Sequence, residues 1–260
     1  MGKYSFNAHR VHFEIIQWIK DWFEINGKGC NAVIGLSGGK DSTIIAALCV
    51  EALGKDRVIG VAMPQGEQGL NGADKIAESL GIRFKVCNIG EACHAVEMAC
   101  GYGVHPDYKI SEQAVQNIPP RVRMTTLYAV AQTENGRVSC NCNFSEDYIG
   151  YATFGGDDLG AFAPFGQLTV TEILAIGDDM GLPWEWVHKV PDDGLPHSTS
   201  DEEKFGFTYE ELDRYIREGV EPQGYVKNTG ETKKEKIDRM HERNLFKTDI
   251  IKVPSFLYSV

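Results

Sequence analysis

Long apolar runs are missing from this chain of 260 residues. Its apolar stretches, such as Val33–Leu36 and Thr43–Val50, fall far short of the roughly 20 residues that a membrane-crossing helix needs. Positive charge is scarce too: 26 Lys and Arg stand against 37 Asp and Glu, for a formal net charge of −11. A surface of that sign repels a phosphodiester backbone, which excludes general DNA or RNA binding. Met1–Arg10 has no basic segment leading into an apolar one, so no signal peptide is expected. The chain reads as soluble and cytoplasmic, with one domain over 1–260 and no repeats or low-complexity segment.

Cysteine pairs at metal-site spacing are the third absence. The seven cysteines, Cys30, Cys49, Cys87, Cys93, Cys100, Cys140 and Cys142, are odd in number and scattered. Cys140-Asn-Cys142 has no second ligand pair, and His94 and His105 stand near Cys93 and Cys100 without regular spacing. Buried, reduced thiols are the expected state. The sequon Asn143-Phe-Ser145 is idle in a cytosolic chain.

What is present is alternation. Val11, Ile15, Trp18, Ile19 and Trp22 recur at spacings of three and four, which predicts an amphipathic helix over Phe6–Asn26. Its aromatics Trp18, Trp22 and Phe23 suit either a core helix or a subunit interface. Short apolar strands are expected at Cys30–Leu36, Arg57–Met63 and Ile82–Val86, separated by helices at Asp41–Leu53 and Asp74–Leu80. A fourth strand is expected at Arg137–Cys140, after a helix over Arg121–Thr133 that Pro119-Pro120 would open. Further helices are expected from Ser145, as cap, to Tyr151 and over Thr169–Met180, with loops at Gly155–Gly166 and Pro191–Phe205. Glu231–Arg243 reads as a charge-mixed, solvated helix. The pattern implies an α/β fold, a doubly wound parallel sheet flanked by helices. Ligands in such sheets bind beyond the carboxyl ends of the strands.

One turn sits at that place: Gly35-Leu36-Ser37-Gly38-Gly39-Lys40-Asp41-Ser42, between a strand and a helix. Walker A loops carry a hydroxyl residue directly after Lys, and here Asp41 stands there. The chemistry is nonetheless that of phosphate binding. Glycines let backbone N–H groups approach an anion, the helix N-terminus favours it, and Ser37, Ser42 and Lys40 add donors. Asp41 would repel bare phosphate, which points to Mg²⁺ bridging carboxylate and phosphate oxygens.

This turn resembles the pyrophosphate loop of the ATP-pyrophosphatases, which activate a carboxyl or carbonyl oxygen as an adenylate. Arg121-Val-Arg123-Met124 is similar to the A-R-x-R-M stretch of NAD⁺ synthetases within that group. Cys140-Asn-Cys-Asn143-Phe-Ser-Glu146 and Gly150-Tyr-Ala-Thr-Phe-Gly-Gly-Asp157 resemble their G-T-x-N-x-S-E and G-Y-x-T-x-x-G-D blocks. Pro164-Phe-Gly166, Gly181-Leu-Pro183, Lys189-Val-Pro191 and Ser200-Asp-Glu202 through Asp213 continue the series in family order. The resemblance implies an adenine nucleotide alpha-hydrolase-like fold and the short, ammonia-dependent kind of enzyme, without a glutaminase domain.

The implied reaction amidates deamido-NAD⁺ to NAD⁺ with ammonia. ATP is the co-substrate, AMP and pyrophosphate are released, and the enzyme is a homodimer. The implied site follows residue by residue. Gly35, Leu36, Ser37, Gly38, Gly39, Lys40, Asp41 and Ser42, with Met63 and Asn141, would bind ATP; Asp41 and Lys40 would act catalytically. Asp41 and Glu146 would hold Mg²⁺. Arg121, Asp157 and a C-terminal lysine, Lys252 or else Lys247, would bind deamido-NAD⁺, with the 214–260 tail closing on the site.

Three departures stand out. Val170 replaces a lysine that contacts ATP, Cys140-Asn141 replaces G-T, and Asp192 and Gly194 replace the hydroxyl and the acid of P-S-A-D-L. A related ATP-pyrophosphatase acting on another carboxylate, and a non-catalytic nucleotide-binding relative, are the competing readings.

Overall fold

A computed structural model of the chain describes residues 4–101, 109–188, 200–227 and 229–250, with side chains through 247. Four parallel strands form the central sheet: β1 (Asn31–Gly35), β2 (Val58–Ala62), β3 (Arg83–Val86) and β4 (Gly136–Val138), ordered β3-β2-β1-β4. Register is set by Val33 lying beside Ile59 on one side and Val138 on the other. All four strands fall where short apolar runs predict them.

Alternation along each strand assigns its two faces. Ala32 and Ile34 of β1 and Val58 of β2 pack toward α1 (Ala8–Asn26), α2 (Lys40–Leu53) and α3 (Ala73–Leu80). Val33, Ile59 and Val61 face the other way, onto Met124, Leu127 and Ala131 of α5 (Glu112–Thr133). A strand with both faces covered loses its polar/apolar alternation, which is why β2 is buried at every position. Each such Val or Ile contributes roughly 1.5–3 kcal/mol by leaving water.

After β3 the chain runs through α4 (Gly90–Gly101) and α5, and re-enters the sheet beside β1. The strand order therefore reverses between β1 and β4, and a crevice opens at their carboxyl ends. Among the described residues no helix is long and apolar enough to cross a membrane.

Several expectations need correction. Pro119 and Pro120 do not open α5; they lie inside it. The helix starts at Ser111, whose hydroxyl caps Ala114 N–H at 3.2 Å, and Ile118 seals this first third against Ile89 and Cys93. That packing offsets the backbone hydrogen bonds that two prolines remove. Ser145 does not cap α6 (Phe144–Ile149). Asn143 does, accepting from Glu146 N–H at 3.0 Å, which frees the buried Ser145 for other partners.

The charge-mixed segment near the C-terminus becomes α11 (Lys233–Ile250), which is not wholly solvated. Its Ile237 is fully buried against Ile149, Phe205 and Leu212, and His241 stacks on Tyr148. Helix α1 is a core helix in this chain: Phe23 is buried and Trp18 and Trp22 are half-buried on the same cluster. Cys30, Cys49, Cys93, Cys140 and Cys142 are buried free thiols, whereas Cys87 is half-buried and Cys100 exposed. Cys100 lies in the last turn of α4, whose sole buried position is Cys93.

Of the remaining expected elements, Thr169–Met180 appears as α7 (Val170–Asp179), and α8 (Trp184–Val187) follows it. The loop expected up to Phe205 instead ends in α9 (Asp201–Phe205), capped by Ser200, ahead of α10 (Tyr209–Glu218). Lys189–Leu195, including Asp192 and Gly194, and also His105 and Lys252, lie outside the described residues.

Candidate active site

A cavity of about 1120 Å³ fills the crevice at the carboxyl ends of β1, β2 and β4. Its first wall is the glycine turn after β1. Gly38 has φ +79°, and a Cβ there would meet the Asn71 carbonyl oxygen at 2.3 Å, so both conformation and space demand glycine. The turn is held from within. Ser42 Oγ donates to Gly39 O at 3.0 Å and accepts from Ser37 N–H at 3.3 Å, and Asn71 Nδ2 donates to Ser37 O at 3.2 Å. Helix α2 then begins at Lys40 with its amino terminus beside the cavity.

Acidic side chains converge on the floor. Asp41 and Glu146 both line the cavity, and Asn143 Nδ2 approaches Asp41 Oδ1 at 3.4 Å. Glu146 is sunk deep in the protein with one edge open to the cavity. Burial, reinforced by Asp41 and opposed by Lys40, pushes its carboxyl up to about 8. Lys40 turns its ammonium onto Asp41 Oδ2 at 3.0 Å and lies 5.7 Å from the Tyr209 ring centre. Burial works against that ammonium, yet Asp41, Glu146 and Asp201 outweigh it and raise its pKa. The Tyr209 hydroxyl is fully buried without a hydrogen-bond partner among the described residues. Burial and the carboxylates of Glu146, Asp201 and Asp41 raise the pKa of that phenol.

The second wall comes from α5. Pro120, Arg123, Met124 and Leu127 line the cavity, at the i, i+3, i+4, i+7 spacing of one helix face. Arg123 Nε donates to Met63 O at 3.1 Å, which joins this wall to the end of β2. Ser139 and Asn141 close the third side, where Asn141 Nδ2 donates to Gly35 O at 3.0 Å and Asn141 Oδ1 accepts from Ser139 Oγ at 2.6 Å. Asp157 caps its own loop by accepting from Thr153 N–H at 2.7 Å. Cys142 Sγ donates to Asp157 O at 3.1 Å, and contact with Cys140 together with burial raises its thiol well above the ordinary range.

This geometry joins a phosphate-type turn, two adjacent carboxylates and one large cavity, and the comparisons with known proteins agree with it. The family model described as NAD synthase matches residues 11–250. The chain belongs to the NAD synthase family. The NH(3)-dependent NAD(+) synthetase of Methanococcus aeolicus is 38% identical over 196 residues, covering 74% of this chain and 75% of its relative. That of Carboxydothermus hydrogenoformans is 33% identical over 257 residues, covering 94% and 99%. Among solved structures, NMN synthetase from Francisella tularensis superposes with a TM-score of 0.81 at 26% identity, covering 96% of this chain and 99% of that one.

Within this NAD synthase fold, Gly35, Leu36, Ser37, Gly39, Asp41, Ser42, Met63, Asn141, Glu146 and Asp157 all line the cavity. Lys40 stands behind Asp41, off the lining. Arg121 is exposed and off it too, with Nε on Phe154 O at 3.2 Å. Lys247 Nζ donates to Gly150 O at 2.7 Å and Ala152 O at 2.9 Å, tying α11 to the loop after α6. Val170, which departs from the family lysine, is buried and gives its N–H to Ser145 Oγ at 2.9 Å.

Sequence reasoning missed Arg123, Ser139 and Tyr209. A signal for the first was present: with Met124 and Leu127 facing the sheet, helical spacing puts Arg123, and not Arg121, on the cavity face. The orphaned Tyr209 hydroxyl has no counterpart in local sequence.

Proposed function

We propose that this chain catalyses the ATP-dependent amidation of deamido-NAD⁺ by ammonia, through an adenylate, with release of AMP and pyrophosphate. The observation that carries this reading is the single cavity onto which the Ser-Gly-Gly turn, the Asp41–Glu146 pair and the α5 wall converge. Amide groups of Ser37–Ser42 and the amino terminus of α2 bind the triphosphate. Met63 and the end of β2 seat the adenine, and Asn141 holds the turn at Gly35.

The nicotinate carboxylate attacks the α-phosphorus, and ammonia then displaces AMP. No acid–base pair is required for the first step, so positioning and charge neutralisation lower its barrier. Walls such as Leu127 and Met124 exclude the water that would hydrolyse the adenylate.

The carboxylates fit Mg²⁺. Asp41 and Glu146 offer hard oxygen donors, and a raised Glu146 pKa marks a charge that a cation would stabilise. Among the described residues no cluster of three or more His, Cys, Asp or Glu could hold a metal unaided. A cation bound by one or two carboxylates and completed by phosphate oxygens needs no such cluster. When bound, Mg²⁺ neutralises charge on the phosphates. Lys40 holds Asp41 in place from behind. Arg121, Asp157 and a C-terminal lysine serve the acid substrate, and a cytoplasmic homodimer is the form in which the enzyme acts.

A second reading changes only the acid. The structural likeness to an NMN synthetase, at 26% identity over 96% of the chain, favours a mononucleotide acid as substrate. One assay separates the readings: amide product and pyrophosphate are followed with ATP, Mg²⁺, ammonium and either deamido-NAD⁺ or nicotinate mononucleotide, beside Asp41→Ala. NAD⁺ and pyrophosphate that vanish in Asp41→Ala support the proposal. Turnover of the mononucleotide alone establishes the second reading. ATP binding with neither product overturns both and leaves a nucleotide-binding relative.

A further inference from the structure

Lys40 is the one residue of the Gly35–Ser42 turn that carries a cation, and it stands off the cavity lining. Its side chain is 13% exposed and that of Asp41 is 19% exposed, so water screens their 3.0 Å contact little. The ammonium has no room to back away. The ring of Tyr209 stands 5.7 Å off with its hydroxyl fully buried, and Glu146 and Asp201 pull on the same charge. Asp201 is held in turn by the Tyr151 hydroxyl at 2.7 Å and by Lys204 at 3.3 Å. Among the charged groups that act most strongly on Glu146, Asp41, Asp147 and Asp157 are acidic and Lys40 alone is basic. One enclosed cation thus sits beneath Asp41 and Glu146, the two carboxylates of the cavity floor.

That placement has two electrostatic consequences of opposite sign. A fixed positive charge beneath a pair of carboxylates lowers their attraction for a free divalent cation. The same charge raises the attraction of the adjoining turn for the phosphates of a nucleotide. A lysine facing the cavity would act by contact with a ligand; Lys40 acts through its field, on both kinds of ligand at once. Resting on the proposed reaction and its Mg²⁺, we propose that Lys40 is the built-in counter-charge of the metal-binding acids, which keeps free metal off Asp41 and Glu146 until a nucleotide arrives. Nucleotide and metal therefore enter together, because the phosphates supply the negative charge that Lys40 has cancelled. A lysine that did no more than orient Asp41 would favour the metal in every state. The two roles thus predict opposite signs when the charge is removed.

The test compares wild type with Lys40→Gln, which keeps a hydrogen-bond donor for Asp41 without the charge, and with Lys40→Met and Lys40→Arg, each first matched to wild type by circular dichroism. Mn²⁺, standing in for Mg²⁺, is titrated at pH 8.5 under argon and followed by water-proton relaxation enhancement, which separates ion held on the protein from ion on free nucleotide. Without nucleotide, Lys40→Gln and Lys40→Met should bind Mn²⁺ on the order of ten- to thirtyfold more tightly than wild type, the effect of removing a unit charge beside a divalent one. Lys40→Arg should stay within about threefold of wild type, because the charge is kept. In EDTA, isothermal titration should show the two neutral variants binding ATP on the order of tenfold more weakly. Unchanged or weaker Mn²⁺ binding in Lys40→Gln overturns the inference and leaves Lys40 orienting Asp41, even when wild type forms NAD⁺ normally. Wild type that binds Mn²⁺ equally well with and without ATP overturns it too. Wild type that holds no Mn²⁺ even with ATP, and forms no NAD⁺, overturns this inference together with the proposed reaction. If Lys40→Met does not fold, Lys40→Gln carries the comparison.

Discussion

Glu146→Gln gives the most direct check on the electrostatics of this site. The ligand-free carboxyl is pushed up to about 8, burial being the main cause and Asp41 the next. In an unfolded chain it titrates near the ordinary glutamate value. A raised folded-state pKa means that the native state holds this proton more tightly than the unfolded state does. The associated stability is therefore complete in acid, begins to fall above about pH 4.5, and is lost as pH rises through 8. Between pH of about 5.5 and 8 the linkage amounts to roughly 3 kcal/mol for an isolated group. One edge of the carboxyl meets the open cavity, where solvent screens it, so about 2 kcal/mol is the expected net. Asp147, pushed up to about 7 by burial with Asp158 and Asp157 beside it, acts in the same sense and remains in the variant. For a chain of this size 1 kcal/mol moves Tm by about 2 °C. Thermal melts of both proteins, free of nucleotide and divalent cation, should show Glu146→Gln more stable than wild type by about 4 °C more at pH 8 than at pH 5.5. A Tm difference that does not change with pH refutes the assignment of a buried, proton-holding carboxyl at this position.

Two further perturbations probe the turn and the scaffold. Gly38→Ala should keep the fold but lose ATP affinity by at least tenfold in a binding titration, because a left-handed alanine costs about 1–2 kcal/mol and its methyl collides with the Asn71 carbonyl. Arg217→Met should lower unfolding stability by about 3–5 kcal/mol in urea, because it strands the buried Glu172 carboxylate that Arg217 holds at 2.7 and 2.8 Å.

Much of this architecture could be read locally. Strand β2 is a run of five buried residues, and Ser37-Gly38-Gly39 carries its conformational demand in its glycines, so strand, turn and helix follow from short windows. What failed was decided at a distance. Pro119 and Pro120 look like a helix start until Ile118 is seen packed against α4. Ser145 looks like a cap until Asp213, 68 residues away, accepts its hydrogen bond. At the site, the acids and the turn were legible because their chemistry is carried by type and spacing. Seeing that Arg123 and not Arg121 lines the cavity required knowing which face of α5 meets the sheet. Lys40 was legible as a charge, but its orientation toward Asp41 depends on the aromatic floor that Tyr209 of α10 supplies.

Ser145 itself has a consequence for how this protein tolerates change. Its hydroxyl gives its single hydrogen to Asp213 Oδ1 while receiving the N–H of Val170, and Asp213 Oδ2 in turn receives the N–H of Thr171 at 2.7 Å. One atom thus sits at the junction of α6, α7 and α10, next in the chain to Glu146. Helices α7 and α10 supply none of the described residues that line the cavity, yet they set the pitch of the short helix that carries its deepest carboxylate. A substitution on their facing sides, innocuous by any measure of distance from the reactants, would tilt α6 and be felt first as misplaced charge at the turn.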